Sequence, residues 1–196
     1  MLRRAPVTAA LGLLALTTAC GGAIFGNVPS PSPVTAATVR AAVDNSDMLN
    51  AHFRATGTLG IQGSHYPITG DGVLEKSPTT ALSLNLTVQT NTRAGNLTVQ
   101  EIVIGGRTYS RTGNGKWTSV PDTSTISPIA PTKYVGEELI AGTITWHAST
   151  AENGNTYDIW VRETDGYIVY IQFTDSKSAL TMNFDTYNQS ALITVP

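Results

Sequence analysis

Apolar and polar residues alternate strictly along 82–89: Leu82, Leu84, Leu86 and Val88 are separated by Ser83, Asn85 and Thr87. A period of two puts the first set on one face of a β-strand and the second on the other. Looser alternation predicts further strands over 52–61, 72–76, 97–104, 107–110, 143–148, 156–163, 167–174 and 180–187. Between them stand Asp71-Gly72, Gly105-Gly106, Asn114-Gly115, Asn153-Gly154 and Asp165-Gly166, dipeptides that allow the positive φ of tight hairpin turns. Short connections of this kind make consecutive strands antiparallel neighbours. Helical 3/4 spacing occurs at 35–44, where Ala36, Val39, Ala42 and Val43 share a face. Residues 77–80 read as a turn. The proline-rich stretch 121–138 reads as a longer excursion, with a helical turn near 134–140, lying across the open side of a curved sheet.

The N-terminus follows another pattern. Arg3 and Arg4 precede an apolar run from Val7 to Leu16, the charged and hydrophobic parts of an export signal. The run is shorter than the roughly 20 apolar residues that span a bilayer. Thr17-Thr18-Ala19 leads to Cys20, the single cysteine of the chain, followed by Gly21-Gly22. This resembles the bacterial lipobox, whose cysteine becomes an acylated N-terminus. The lipobox prefers Leu three residues before the cysteine, where this chain has Thr17 and the nearest leucine is Leu16. The alternative is ordinary secretion with a free thiol, a liability in an oxidising compartment that acylation removes. The expected organisation is a signal peptide over 1–19, a lipidated Cys20 with a Gly/Pro/Ser tether over 20–33, and a single domain over 34–196. Two or three acyl chains hold a protein stably where one is marginal. The expected location is the outer face of the cytoplasmic membrane, on the periplasmic or extracellular side.

Composition narrows the picture. The 196 residues suffice for one core, and 41% hydrophobic content argues against disorder. The formal charge of −2 comes with no basic stripe, so nucleic acid is an unsuited partner.

Several segments, in order, carry a resemblance. They are the short helix, a first strand over 50–60, and Gly72-Val73-Leu74 opening the second. Then come Ile102-Val103-Ile104-Gly105-Gly106-Arg107-Thr108-Tyr109 with Trp117, and Gly142-Thr143-Ile144-Thr145-Trp146-His147. A closing hairpin runs from Tyr157-Asp158-Ile159-Trp160-Val161 through Asp165-Gly166 to Tyr167-Ile168-Val169. Together they resemble the LolA/LppX/LprG-like lipoprotein-carrier superfamily over about 34–190. The resemblance implies a mainly β (α+β) fold: a strongly bent antiparallel sheet forming an unclosed half-barrel. A short N-terminal helix and a loop or helix segment would cover its concave face, with a hydrophobic cavity between. It implies binding or transfer of an acyl lipid or glycolipid at the envelope, without catalysis or a cofactor. The implied partners are the membrane, through Cys20, and a lipid exporter or another envelope protein. The stretch 121–138 is shorter than the helical segment of cavity-bearing members, which points to a smaller cavity or none.

A lipid site needs apolar walls. Leu82, Leu84, Leu86 and Val88 supply one candidate wall. Val99 or Ile102, with Ile104, Ile159, Ile168, Tyr170, Met182 and Phe184, supply others. The same residues suit the packing of a filled sheet, and both readings stay open. Tyr109, Trp117, Trp146 and Trp160 suit packing or a cavity mouth. Catalytic signatures are lacking. His52, His65 and His147 have no metal-ligand spacing, and no G-x-S-x-G elbow occurs. Gly113-Asn114-Gly115-Lys116 is a hairpin turn in a strand context, not a phosphate loop. Glu137-Glu138 reads as a solvated face. The sequons at Asn85, Asn96 and Asn188 are chance matches in a Thr-rich chain. A protein-interaction module with a filled core, met through an edge strand or 121–138, is the alternative to lipid binding.

Overall fold

The 3/4-spaced stretch forms α1 (Ala36–Asn45) in the computed structural model, which describes residues 33–61, 63–90, 95–121, 130–152 and 154–196. Thr35 caps it: the Thr38 N–H donates to Thr35 Oγ1 and the Thr35 N–H to Thr38 Oγ1, both at 3.2 Å. This reciprocal box satisfies donors that a helix start leaves open. At the other end, Lys76 Nζ donates to the carbonyls of Val43 at 3.0 Å and Ser46 at 2.6 Å. A cation there meets the orphan carbonyls and the negative end of the helix dipole. The expected signal peptide, Cys20 and all of the tether except Pro33 lie outside the described residues. Among the described residues no helix is long and apolar enough to cross a membrane.

The strands are β1 (Asn50–Ile61), β2 (Ser64–Glu75), β3 (Ala81–Val88), β4 (Leu97–Ile104), β5 (Arg107–Thr112) and β6 (Thr118–Pro121). After a gap come β7 (Lys133–Ile140), β8 (Thr143–Glu152), β9 (Asn155–Arg162), β10 (Ile168–Thr174) and β11 (Ala179–Tyr187). All lie in one antiparallel sheet, ordered β6-β5-β4-β3-β2-β1-β11-β10-β9-β8-β7. Two meanders thus meet where β1 pairs with β11.

Three expectations need correcting. Asp71-Gly72 is no turn: it lies inside β2, paired with Arg54 and Phe53. The β1–β2 turn sits at Gly63, with φ 81°. Gly72 is there for close approach, since an added Cβ would lie 2.4 Å from Phe53 Cζ. Residues 134–140 are not helical but belong to edge strand β7, tied to β8 through a turn at Ala141 (φ 48°) and Gly142 (φ 81°). Long-range pairing overrides the local reading there. The ends of the 121–138 excursion are therefore edge strands, and the element shown packing on the sheet is α1. Residues 122–129 lie outside the described residues.

Connectivity bends the sheet. β6 and β7 are its opposite edges. A flat sheet of this many strands would put them about 48 Å apart at a spacing of about 4.8 Å. The chain from Pro121 to Lys133 can span at most about 43 Å, even fully extended. The sheet must therefore curve, and among the described residues no strand pairs with its outer edges.

Register assigns every strand position to one of two faces. The core face receives α1: Val39 and Val43 pack with Met48, Phe53, Ala148, Ile159, Val161, Ile171 and Phe184. The helix lies against β7, β8 and β9. The core face of β2 to β6 extends beyond it. On the outer face, the C-terminal segment lies against the sheet, where the Ile193 N–H donates to buried Glu75 Oε2 at 2.8 Å and Asn50 exchanges hydrogen bonds with Ser190.

Candidate functional site

Pairing of Leu74 with Leu82, Gly72 with Leu84, Gly70 with Leu86 and Ile68 with Val88 puts the β3 ladder on the core face. Its next neighbours on β4 are Val103, Glu101, Val99 and Leu97. Leu82, Leu84 and Leu86 are half-buried and pack against the core, while Val88 is buried. Outward along the same face, Leu97 on β4 and Val120 on β6 are exposed at 40% and 59%. Apolar surface therefore continues from the core through Val88 to exposed Leu97, while Glu101 on β4 and Thr108, Ser110 and Thr112 on β5 share the same face.

Of the other sequence candidates, Ile159, Ile168, Met182 and Phe184 join the core face, with Ile159, Ile168 and Phe184 buried. Ile102, Ile104 and Tyr170 do not. Ile102 pairs with Ser83 and Ile104 with Ala81, on the outer face, which resolves the choice on β4 in favour of Val99. Tyr170 pairs with Trp160 on that outer face as well, after a bulge between Ile168 and Tyr170. The cause is visible in the residues: three consecutive apolar positions, Ile102-Val103-Ile104, carry no parity of their own. Leu97, Val103 and Val120 were missed for the same reason, or because β6 is too short to show a pattern.

A buried polar group lies on the core side of β8. Trp146 Nε1 is buried with no protein partner, a donor that a ligand carbonyl could take up. A small cavity of about 90 Å³ lies elsewhere, between the β1–β2 and β10–β11 turns, lined by Gly60, Gly63, Ser64, His65, Ser176 and Lys177. It is far below the size of an acyl-lipid site.

The outer face of β7 to β10 gathers polar chemistry that spacing did not reveal. His147 Nδ1 lies 2.7 Å from Glu138 Oε1, and its Nε2 lies 2.9 Å from Asp158 Oδ1. The ring stacks on Trp160 at 4.1 Å, and the Trp160 Nε1–H donates to Glu138 Oε2 at 2.9 Å. Both imidazole nitrogens are engaged and the side chain is only 12% exposed, so the arrangement joins strands and leaves neither nitrogen open to a substrate. Among the described residues no group of three or more His, Cys, Asp or Glu side chains is placed to hold a metal.

The Glu138 carboxyl is held below its usual range, first by the Trp160 hydrogen bond and then by His147, against the opposing effect of desolvation. Asp185 is lowered chiefly by its bond to His52. A carboxylate lowered in the folded state contributes fully above its unfolded pKa and loses that contribution as pH falls through the folded value. Acidification through and below the ordinary glutamate range is therefore expected to lower Tm, modestly, because both groups are partly solvated. Glu138→Gln is expected to flatten that fall, and an unchanged slope of Tm against pH would show that another group carries it.

A scan against protein-family models finds no match, and a search of curated proteins finds none. Solved structures do show likeness. LprF from Mycobacterium bovis is 11% identical with a TM-score of 0.43, over 84% of this chain and 99% of that one. The lipoprotein LppX from Mycobacterium tuberculosis is 13% identical with a TM-score of 0.45, over 81% and 99%. A LolA superfamily protein from Nitrosomonas europaea is 8% identical with a TM-score of 0.35, over 82% and 96%. These structures bear the names of the group that the sequence resembles. At such identities and TM-scores they say nothing of ligand, partner or activity.

Proposed function

We propose that this is a non-catalytic envelope lipoprotein, acylated at Cys20, that takes up the acyl part of a lipid on the core face of its sheet. The carrying observation is the half-buried ladder Leu82, Leu84 and Leu86, which continues the core beyond α1 instead of ending under it. Acyl chains bound there gain about 25 cal/mol for each Å² of apolar surface removed from water. Trp146 Nε1 offers a donor to an ester or amide carbonyl on the same face.

Residues 33–196 form one compact unit, and the test uses this unit purified without detergent from a bacterial host. Native mass spectrometry is expected to show added mass that organic solvent removes and that analyses as acyl lipid. Leu84→Asp, at a half-exposed position, is expected to cut that fraction by about tenfold or more, since it sets a charge against the chain. A clean apo mass that persists after incubation with lipid vesicles overturns the lipid reading. Acylation has its own readout: the membrane-extracted full chain is expected to carry diacylglyceryl mass that Cys20→Ser abolishes.

The sheet edges favour a second reading. β7 is unpaired on one side, with Val135 and Leu139 exposed at 47% and 70%, and suits strand addition by an envelope protein. An apo domain that captures a β-strand peptide would support it.

A further inference from the structure

Positive charge is gathered on one part of the outer face, where the described residues include no acidic neighbour. On β5, Arg107, Tyr109 and Arg111 pair with Ile104, Ile102 and Gln100, which places them on the outer face. Arg111 lies over the Trp117 ring at 4.8 Å, so Trp117 and the exposed Lys116 beside it border the same patch. Register gives the outer face of β3 to β6 no carboxylate among the described residues. The recorded partners of these arginines are neutral: Arg107 Nη2 donates to Ser119 Oγ at 2.7 Å, and Arg111 Nε donates to Gln100. Arg40, Arg54 and Arg162 contrast with them, since each pairs with an aspartate. The opposite end of the outer face carries Glu138 and Asp158. Half-buried Tyr109, Trp117, Ile102 and Ile104 fill the ground between the cations.

Cations, amphipathic aromatics and aliphatic side chains on one strand surface match the chemistry of an anionic lipid headgroup layer. We infer that the outer face of β4 to β6 rests on the anionic surface of the bilayer. The nearness of that bilayer rests on the proposed Cys20 anchor. Three cations hold a free domain weakly, but a tether turns weak contact into a local equilibrium at high effective concentration.

The test uses the full chain with Cys20→Ser, which also frees the only thiol position for labelling. Ser119→Cys, on the outer face of β6, carries an environment-sensitive fluorophore, and Thr164→Cys, in the β9–β10 turn, is the control. An apolar leader as expected over 1–19 would bind vesicles of any charge, so the readout is local to the label. With phosphatidylglycerol/phosphatidylcholine vesicles the label at 119 is expected to shift blue and to lose acrylamide quenching several-fold. Phosphatidylcholine alone, high salt, or Arg107→Gln/Arg111→Gln/Lys116→Gln is expected to abolish the change, with the label at 164 unaffected throughout. If the triple variant loses its β-sheet circular dichroism, the exposed Lys116→Gln alone carries the comparison with a smaller loss. No change at 119, an equal change with neutral vesicles, or a change that survives the substitutions overturns the inference. A response to soluble polyglutamate without one to vesicles also overturns it, in favour of an acidic protein partner. Because Cys20 is absent from this chain, failure here leaves the acylation reading to its own mass measurement.

Discussion

Phe53→Ala is expected to cost about 3–5 kcal/mol, the range for a fully buried aromatic cut to a methyl. Phe53 has no exposed surface, and its ring meets that of Phe184 at 5.2 Å with a 53° tilt. What surrounds it sets the size of the effect. Its neighbours along the core face of β1 are Ala51 and Ala55, and Gly72 lies opposite it on β2. None of these can reach into the hole, so the cavity stays open and the upper part of the range applies. Against a total stability of roughly 5–15 kcal/mol, such a loss leaves the fold marginal. Urea unfolding is the measurement, with the midpoint falling at unchanged slope. A loss under about 1 kcal/mol would mean that the centre of the sheet repacks easily, contrary to this packing.

Gly166→Val is expected to cost about 2–4 kcal/mol by a different route. Gly166, in the turn between β9 and β10, has φ +73°, which a β-branched residue adopts only under strain. It also abuts α1: an added Cβ would lie 2.1 Å from the Ala42 carbonyl oxygen. Either the turn or the helix must move, and α1 is the element that seals Ala148, Ile159 and Val161. Gly105→Val separates the two causes. Its φ of +60° demands the same conformational freedom, yet an added Cβ meets nothing within 4 Å. The excess cost at 166 over 105, measured by denaturant unfolding, reports the helix contact, and greater binding of an apolar dye would report the uncovered face. Equal costs at both positions would show that only the turn conformation matters.

How far each feature was readable depends on whether its signal is local. The β3 ladder alternates without interruption, so its face was readable before any partner strand was known. The helix was readable because the 3/4 spacing of Ala36, Val39, Ala42 and Val43 lies within a few residues. The positive-φ glycines at 105, 106, 154 and 166 marked hairpins for the same reason. Asp71-Gly72 has the same local signature and a different cause, because Gly72 makes room for a ring eighteen or more residues away in sequence. Nothing in a dipeptide distinguishes a glycine that bends the chain from one that yields space.

The candidate site was readable only in part. The apolar content of β3, β9 and β11 pointed to one surface, and most of those residues do share it. On β4 and β10 the apolar residues run together, so face is set by which residue pairs across the ladder and by the bulge after Ile168. The Glu138–His147–Asp158 arrangement spans three strands and has no spacing to betray it.

By itself the sequence determined the class of the fold, the hairpins at 105–106, 153–154 and 165–166, its helix and the surface chemistry of its most regular strand, because these depend on period and turn residues. Only the tertiary structure decided the pairing of β1 with β11, the place of β6 and β7 at opposite ends of the sheet, the face of Ile102, Ile104 and Tyr170, and the gathering of Arg107 and Arg111 on the outer face. Each of these depends on register between segments far apart in the chain, and a shift of one residue moves every side chain of a strand to the other side.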